Sequence, residues 1–333
     1  MKPIAVIILN WNGEKLLREF LPQVIANTPG DLADIIVADN GSTDGSLQLL
    51  AYRFPEVEVI VYSENYGYAE GYNRAIADTR RPYTVLLNSD AAPCDGWLQP
   101  LYDYMEAHPQ VGGAQPKILS YSDPTHFEYA GASGGFIDRN GYPYCRGRLF
   151  DTVEEDHGQY DKTEQIFWAT GACLMVRSEL YLRVGGLDKE FFAHMEEIDL
   201  CWRILLAGYD IVAIPASRVM HLGGGSLPAS NPRKTYLNFR NNLLLLHKNL
   251  PDSSRRGTLV RRRLYDTVAW LKFAVTLDFA NAAAVWRAHR DFRTMRRNYT
   301  VHPDKDLLHT TPRRPNIIVD YYLRGRKQFS SLK

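Results

Sequence analysis

The feature that most constrains this chain is a repeated pattern in its first 115 residues. Short apolar runs alternate with helical periodicity, and most runs close on a polar cluster. The runs at 4–9, 35–38, 57–62, 83–87 and 111–114 read as strands with both faces covered. Between them, Leu16, Leu17, Phe20, Leu21, Val24 and Ile25 mark one face of a helix, with Asn12 as its cap and Pro22 as a kink. Leu47, Leu50, Ala51 and Phe54 mark a second helix, entered through Ser42-Thr43-Asp44, and further helices cover 67–79 and 95–107. Repeated strand–helix–strand units predict an α/β fold, with a mostly parallel sheet flanked by helices and ligands at the carboxyl ends of its strands.

Residues 120–165 are rich in Gly, Tyr and Asp without periodicity and read as a long loop or small insertion, a length often given to lids. Regular structure resumes at 166–176, followed by a helix at 178–184, a helix at 196–207, a strand at 210–214 and a helix at 232–247. Leu200, Cys201, Ile204 and Leu205 form the buried face of the 196–207 helix, and Gly208 stops it. The rest is mostly helical and basic. With 333 residues, 45% of them hydrophobic and 23% charged, the chain has the composition of a soluble α/β domain plus an extension.

Four widely spaced cysteines without a C-x-x-C pair argue against a zinc knuckle or a disulfide framework and fit a reducing compartment. The apolar run 4–9 is too short for a signal peptide, so the expected location is the cytosol. The net charge of +1 conceals an asymmetry: residues 251–333 hold 18 Lys and Arg against 7 Asp and Glu, a net of +11, which leaves −10 for residues 1–250. A basic tail on an acidic body implies an anionic partner. Asp266, Lys272 and Asp278 interrupt the apolar stretch 264–286 about 120° apart on an ideal helix, which argues against a single membrane-spanning helix. Packing on the preceding domain or lying in a membrane interface, with Arg287, Arg290, Arg293 and Arg297 meeting anionic headgroups, are the remaining readings. No nucleic-acid motif accompanies the charge, so nucleic acid is not expected as a partner.

Polar residues gather where the strands end: Asn10-Trp11-Asn12-Gly13, Asp39-Asn40-Gly41-Ser42, and Asn88-Ser89-Asp90, with the segment 64–73 opening the third crossover. Each alone reads as a turn or a helix cap; several in one sheet converge on one crevice. Asp39 can accept a hydrogen bond from the imide N–H of a pyrimidine, while Asn10, Asn12, Asn40 and the glycines let backbone approach ribose and phosphate. Later, Glu196, Glu197 and Asp199 stand at the start of a helix, where its dipole favours anions. One strand further on, His221 precedes the glycines Gly223, Gly224 and Gly225. An acid beside a metal-carrying Asp, with a His to complete the coordination, suits departure of a nucleoside diphosphate and attack by a hydroxyl.

The ordered set I-L-N-W-N-G (8–13), A-D-N-G-S-T-D-G-S (38–46), N-Y-G-Y-A-E-G-Y-N (65–73), L-L-N-S-D (86–90), G-G-L-D-K-E-F-F (185–192), M-E-E-I-D-L-C-W-R (195–203) and H-L-G-G-G-S (221–226) resembles the family 2 inverting glycosyltransferases, in their rhamnosyltransferase-like branch. The resemblance spans roughly the first 230 residues, and Tyr236, Arg240-Asn241 and Lys248-Asn249 extend it. It implies a GT-A fold, a dTDP- or UDP-sugar donor (dTDP-rhamnose among them), a divalent Mg²⁺ or Mn²⁺ ion and a glycan acceptor in cell-surface polysaccharide synthesis. Matched residue by residue, Asp39 reads the base, and Asn65, Gly71 and Asn73 contact the nucleotide. Asn88, Ser89 and Asp90 stand for the D-x-D motif, with Asp90 on the metal and His221 beside it. Glu197 falls at the general base, and Arg240 is a basic residue that could hold the diphosphate. Two departures stand out: Asn88 replaces the first carboxylate of D-x-D, and Glu197 replaces the usual Asp, with Glu196 and Asp199 as its competitors.

The acceptor is expected near Gly171, Asp199 and Trp168, the last either an exposed sugar platform or a core tryptophan. Arg146 and Arg148 of the insertion could reach the diphosphate, but a solvated charge pair is the better reading. On this reading the catalytic domain is 1–250, with a nucleotide half at 1–115 and an acceptor half at 116–250, and 251–333 is a basic helical extension. A lipid-linked acceptor would suit a chain peripheral to the cytosolic face of the plasma membrane. Two other readings compete. A nucleotidyltransferase needs a basic Gly-rich loop after the first strand, which Asn10-Trp11-Asn12-Gly13 lacks; a silent sugar-nucleotide-binding scaffold would accommodate Asn88 and Glu197.

Overall fold

The computed structural model describes residues 2–223, 231–311 and 315–332. The chain divides into two compact units: Met1–Phe136, Cys145–Phe192 and Glu196–Gly223 form the first, while Ile137–Tyr144, Ala193–Met195 and Gly224–Lys333 form the second. The glycines Gly224 and Gly225 and Ser226 of the last glycine-rich motif lie outside the described residues.

In the first unit, β1 (Ile4–Asn10), β2 (Ala33–Asp39), β3 (Glu58–Val61) and β4 (Tyr83–Leu87) run parallel in the order β4-β1-β2-β3. Helices α1 (Glu14–Asn27), α2 (Ser46–Arg53) and α3 (Gly67–Thr79) make the crossovers. Asn10 stands opposite Asp39, and Ile8 opposite Leu87, so the polar residues after each strand come level at one edge of the sheet. The apolar runs fill the centre because Ile4, Val6, Val37, Val85 and Leu87 point into one core with Leu17, Leu21 and Val24 of α1. Helix α1 continues through Pro22, and Gly13, not Asn12, occupies its N-cap position. Strand β3 is last in the sheet, and its ends Glu58 and Val61 are exposed where both faces were expected to be covered.

The sheet continues through β5 (Ala91–Pro93), α4 (Leu98–Ala107) and β6 (Val111–Ser120). Strand β6 runs past residue 114 because its polar residues are buried with partners. Lys117 Nζ meets Asp156 at 2.7 Å and also Asp161, and Gln115 Oε1 accepts from Thr170 N at 2.9 Å. Short strands β7 (Gly135–Ile137), β8 (Pro143–Cys145), β9 (Arg148–Leu149) and β10 (Thr152–Val153) organise the insertion. The expected run 166–176 is two strands, β11 (Glu164–Ile166) and β12 (Cys173–Arg177), separated by a turn at Gly171-Ala172. After α5 (Ser178–Arg183) and α6 (Glu196–Leu206), β13 (Asp210–His221) lies parallel to β6 and antiparallel to β11 and β5. It is longer than the apolar run 210–214, because a register shift between Ile214 and Arg218 breaks the pattern without ending the strand. The full order is β11-β13-β6-β12-β4-β1-β2-β3, with β5 on β13.

The second unit is helical: α7 (Pro232–Asn249), α8 (Asp252–Val275), α9 (Phe279–Met295) and α10 (Leu307–Thr310). Asn231 caps α7 by accepting from Arg233 N at 2.8 Å, with Pro232 in the first turn. Leu243–Leu246 of α7 and Ala284, Val285, Ala288 and Phe292 of α9 are fully or almost fully buried. Helix α8 buries polar residues instead: Arg262 bonds Asp266 at 2.7 Å and also Asn242, and Asp266 meets His289 at 3.0 Å.

Candidate functional site

The polar strand ends are bonded chiefly to one another. Asn10 Nδ2 donates to Asp39 Oδ1 at 2.9 Å and to Ser42 Oγ at 3.1 Å, and Ser42 N donates to Asp39 Oδ2 at 2.9 Å. Asp39 is fully buried with both oxygens engaged, and it pins the 40–46 loop. Asn12, with φ of 51°, turns its Oδ1 to Thr43 N at 2.7 Å and so caps that loop, not α1. Asn40 Nδ2 donates to Asn65 Oδ1 at 3.0 Å and its Oδ1 accepts from Tyr66 N at 3.0 Å, tying β2 to the start of α3. Gly71 lets α3 lie on β1, since a Cβ there would stand 2.7 Å from Leu9 Cδ1. Asn73 departs from its expected role. Its Oδ1 accepts from Tyr181 Oη at 2.6 Å and Leu187 N at 2.9 Å, and its Nδ2 donates to Leu187 O, so it clamps the 186–187 turn.

The pairing of β5 with β13 puts Ala91 opposite His221 and thereby brings the Asn88-Ser89-Asp90 turn to the far end of β13. His221 Nε2 lies 3.0 Å from Asp90 Oδ1 and 3.3 Å from Asn88 Nδ2. On the other side of the ring, Nδ1 is 3.6 Å from Glu128 Oε1, an ionic contact longer than a hydrogen bond. Burial alone would depress the imidazole, but Asp90 and Glu128 outweigh it and push it up to about 9. Burial likewise works against the Asp90 carboxylate, yet His221 holds it below its usual value. Glu128 was not foreseen: it lies in the aperiodic stretch, which gives no signal for it.

Among the described residues, no group of three or more His, Cys, Asp or Glu is gathered to hold a metal. Asp90 and His221 nevertheless fit a divalent ion in chemistry. Mg²⁺ and Mn²⁺ take carboxylate and water oxygens and complete their shell with substrate phosphates, and a ligating His is commonly backed by a carboxylate on its other nitrogen, as Glu128 backs His221.

A third group lies beside these two. Asn88 N donates to the carbonyl of Ala172 at 3.0 Å, and the neighbouring Gly171 carbonyl accepts from Tyr68 Oη at 3.2 Å. A Cβ on Gly171 would meet Tyr68 Oη at 2.8 Å and Glu197 Cβ at 3.9 Å. The first turn of α6 thus comes next to the Asn88–Asp90 turn. Its three acids differ. Burial, helped by Glu197 and Asp199, pushes the Glu196 carboxyl well above the usual range, and its Oε2 is buried without a hydrogen bond. Asp199 is fully buried and bound to Arg203 at 2.7 Å, whose guanidinium also holds the carbonyls of Val184 and Gly186. It is a buried anchor, not an acceptor contact. Glu197 remains, partly exposed, beside Gly171 and Tyr68. Burial, with Tyr72, Glu196 and Glu197 close by, also raises the Tyr68 phenol well above its ordinary value.

Trp168 belongs to the core: it is 3% exposed, its ring lies over Gly135, and Nε1 donates to Phe136 O at 2.9 Å. With the indole N–H satisfied inside, nothing holds the ring at the surface, and the platform reading is withdrawn. Arg146 is no solvated charge either, being 1% exposed with Nη1 on Glu164 at 2.6 Å. In the second unit, Arg240 donates to Asn241 Oδ1 at 2.8 Å and lies over the Tyr236 ring.

Residues 5–181 match the family model described as Glycosyl transferase family 2. The chain is 28% identical over 236 residues to N-acetylglucosaminyl-diphospho-decaprenol L-rhamnosyltransferase of Mycobacterium tuberculosis, covering 66% of this chain and 75% of that one. Among solved structures it is similar to S. aureus TarS 1-349 in complex with UDP-GlcNAc, with a TM-score of 0.58 at 15% identity, covering 88% and 80% of the two chains. It is also similar to GalNAc-T7 with UDP, GalNAc and Mn2+, with a TM-score of 0.57 at 15% identity. That match takes in 76% of this chain but spans only about half, 49%, of the GalNAc-T7 chain. These likenesses give the sheet its fold: it is a GT-A fold, followed by a helical C-terminal region.

Proposed function

This chain belongs to glycosyl transferase family 2 and takes its sugar from a nucleotide-sugar donor, and from that premise we propose an inverting transfer of a deoxyhexose, L-rhamnose, to a hydroxyl of a lipid-linked glycan. The observation that carries the reading is the adjacency of the Asn88–Asp90 turn to the first turn of α6, through Ala172, Gly171 and Tyr68. A leaving-group site and a base on the opposite side of the sugar are what a single displacement with inversion requires.

In this reading Glu197 takes the acceptor proton as the new bond forms. Burial, with Glu197 and Asp199 close by, works against the charged form of Glu196, and Asp199 is committed to Arg203, which leaves Glu197 as the base. Tyr68 and the Gly171 carbonyl line the space beside Glu197 and orient the acceptor. The lattice of Asn10, Asp39, Asn40, Ser42 and Asn65 shapes a floor for the nucleotide, with the exposed edge of Asn65 free to meet it. Asn88 and Ser89 flank the diphosphate. Asp90 and His221 would hold a divalent ion, with Glu128 fixing the ring of His221. Such an ion supplies positive charge to the departing nucleoside diphosphate.

The rhamnosyl donor and the lipid-linked N-acetylglucosamine acceptor are drawn from the M. tuberculosis relative's name, and such an acceptor would suit a chain peripheral to the cytosolic face of the plasma membrane. A thermal-shift screen of nucleotide sugars with Mg²⁺ or Mn²⁺ tests the donor, because a ligand of the folded state raises Tm by mass action. Transfer from dTDP-rhamnose to a prenyl-diphospho-N-acetylglucosamine, with the anomeric configuration read by NMR, tests the rest. A product that retains the donor's configuration defeats the mechanism, and stabilisation by UDP-hexoses alone defeats the donor.

A further inference from the structure

Helix α8 is amphipathic in the reverse sense. Its buried positions are polar, Thr258, Arg262 and Asp266, while Val260, Leu264, Val268, Leu271 and Val275 are 49–80% exposed. At about 100° per residue these five fall within about 80° of arc, nearly opposite the buried polar face. The stripe is bordered on one side by Arg261 and Lys272 and on the other by Arg256 and Arg263. In the turn after α8 Leu277 is 73% exposed, and on α9 Phe279 and Trp286 are 64% and 61% exposed, with Arg287, Arg290 and Arg293 exposed as well.

An apolar face of this size on the outside of a helix is costly in water, while the polar face beneath is fully occupied: Arg262 by Asp266 and Asn242, Asp266 also by His289. The helix therefore cannot gain by rolling over, since that would strip a buried ion pair of its partners. No helix among the described residues is long and apolar enough to cross a membrane. A narrow apolar stripe between two cationic rails matches a helix lying in the headgroup layer, with aliphatic side chains reaching the acyl chains and basic ones the phosphates. A second copy fits less well, because antiparallel stripes would bring arginine rails of like charge together.

We propose that the α8–α9 hairpin docks the protein on an anionic lipid surface through Val260, Leu264, Val268, Leu271, Val275 and the turn at Leu277. The proposal gives a contact surface to the membrane-side acceptor suggested above, on which it rests for its purpose, yet it is read by vesicle binding without any transfer assay, so the two can fail separately.

The test is co-sedimentation of the full chain with vesicles of phosphatidylcholine alone and of phosphatidylcholine mixed with phosphatidylglycerol. Binding is expected only to the anionic vesicles, weakening with salt. The double substitution Leu264→Asp and Val268→Asp should lower the partition coefficient by about tenfold or more. Removing one rail charge, Arg256→Gln or Arg261→Gln, should lower it by about fivefold each. Both pairs are exposed, so unchanged thermal unfolding is expected and confirms folding. Brominated acyl chains should quench tryptophan emission in the wild type and less in Trp286→Phe. Vesicle binding unaffected by the double substitution, or equal on neutral and anionic vesicles, overturns the proposal. So does a wild-type dimer that the double substitution converts to monomer without changing vesicle binding, which would assign the stripe to a second copy.

Discussion

His221 Nε2 lies 3.0 Å from Asp90 Oδ1 although 131 positions separate them in the chain. The β5–β13 ladder, which pairs His221 with Ala91, brings them together. If they share a divalent ion, dialysis against EDTA should lower turnover by about 10³-fold and added Mg²⁺ or Mn²⁺ should restore it. Asp90→Asn should reproduce the loss without restoration. Glu128→Gln, behind the ring, should weaken metal affinity by about 10–100-fold, read by metal titration of activity. Full activity in EDTA would leave the diphosphate to protein side chains.

Glu197→Gln keeps the shape of the side chain but cannot accept a proton, so kcat should fall by about 10²–10⁴-fold while donor affinity stays near wild type. Glu196→Gln should be mild, because burial already works against the charged form of that carboxyl. Steady-state kinetics of the two variants side by side settles which acid serves. A collapse in Glu196→Gln with little change in Glu197→Gln would move the base by one residue.

Asp199→Asn should act on stability. The substitution leaves the Arg203 guanidinium, which also holds the Val184 and Gly186 carbonyls, without its carboxylate. The expected loss is about 3 kcal/mol in urea unfolding, with activity per folded molecule largely kept.

Trp168 and Gly135 are complementary, since a Cβ on Gly135 would sit 2.0 Å from the indole. Gly135→Ala should cost about 1–3 kcal/mol by overpacking. Trp168→Ala should cost about 3–5 kcal/mol by leaving a cavity. If either is instead neutral in denaturant unfolding but raises the KM for the acceptor, the tryptophan is a sugar contact after all.

In the helical unit, burial foremost, with Arg255 and His302 nearby, lowers the His247 pKa to about 4. A histidine depressed in the folded state takes up its proton more readily when unfolded. Its contribution is therefore complete above about pH 6.5, the unfolded value, and is lost as pH falls toward 4. The fall in Tm between pH 6.5 and 4 should be smaller in His247→Gln than in the wild type, and parallel Tm–pH curves would count against this.

Much of the sheet is written in the apolar runs, because residues such as Val6, Val37 and Val85 have no other way to leave water. The polar strand ends were equally visible, but sequence cannot tell a residue that meets a ligand from one that meets its neighbour. Asn10 meets Asp39, and Asn40 meets Asn65 and Tyr66. Strand β6 was cut short because Gln115 and Lys117 look like loop residues until Asp156, Asp161 and Thr170 are seen to satisfy them. Strand β13 was cut short at its register shift. Glu128 escaped notice altogether, since its relation to His221 exists only after an irregular insertion has folded. Tyr68 lay inside a recognised motif, yet its direction toward Gly171 is set by α3 packing on β1.

Strand β13 has a further consequence, for synthesis on the ribosome. It lies between β6 and β11 but is the last strand of the sheet in chain order. Until residue 221 has been translated and has cleared the exit tunnel, β6 presents an unpaired edge and Asp90 has no imidazole beside it. A nascent chain stalled before that point would carry the β6-β12-β4-β1-β2-β3 part of the sheet with an open edge at β6, a form prone to aggregate or to recruit a chaperone. Completion of the sheet and completion of the Asp90–His221 pair are therefore one late event of biosynthesis.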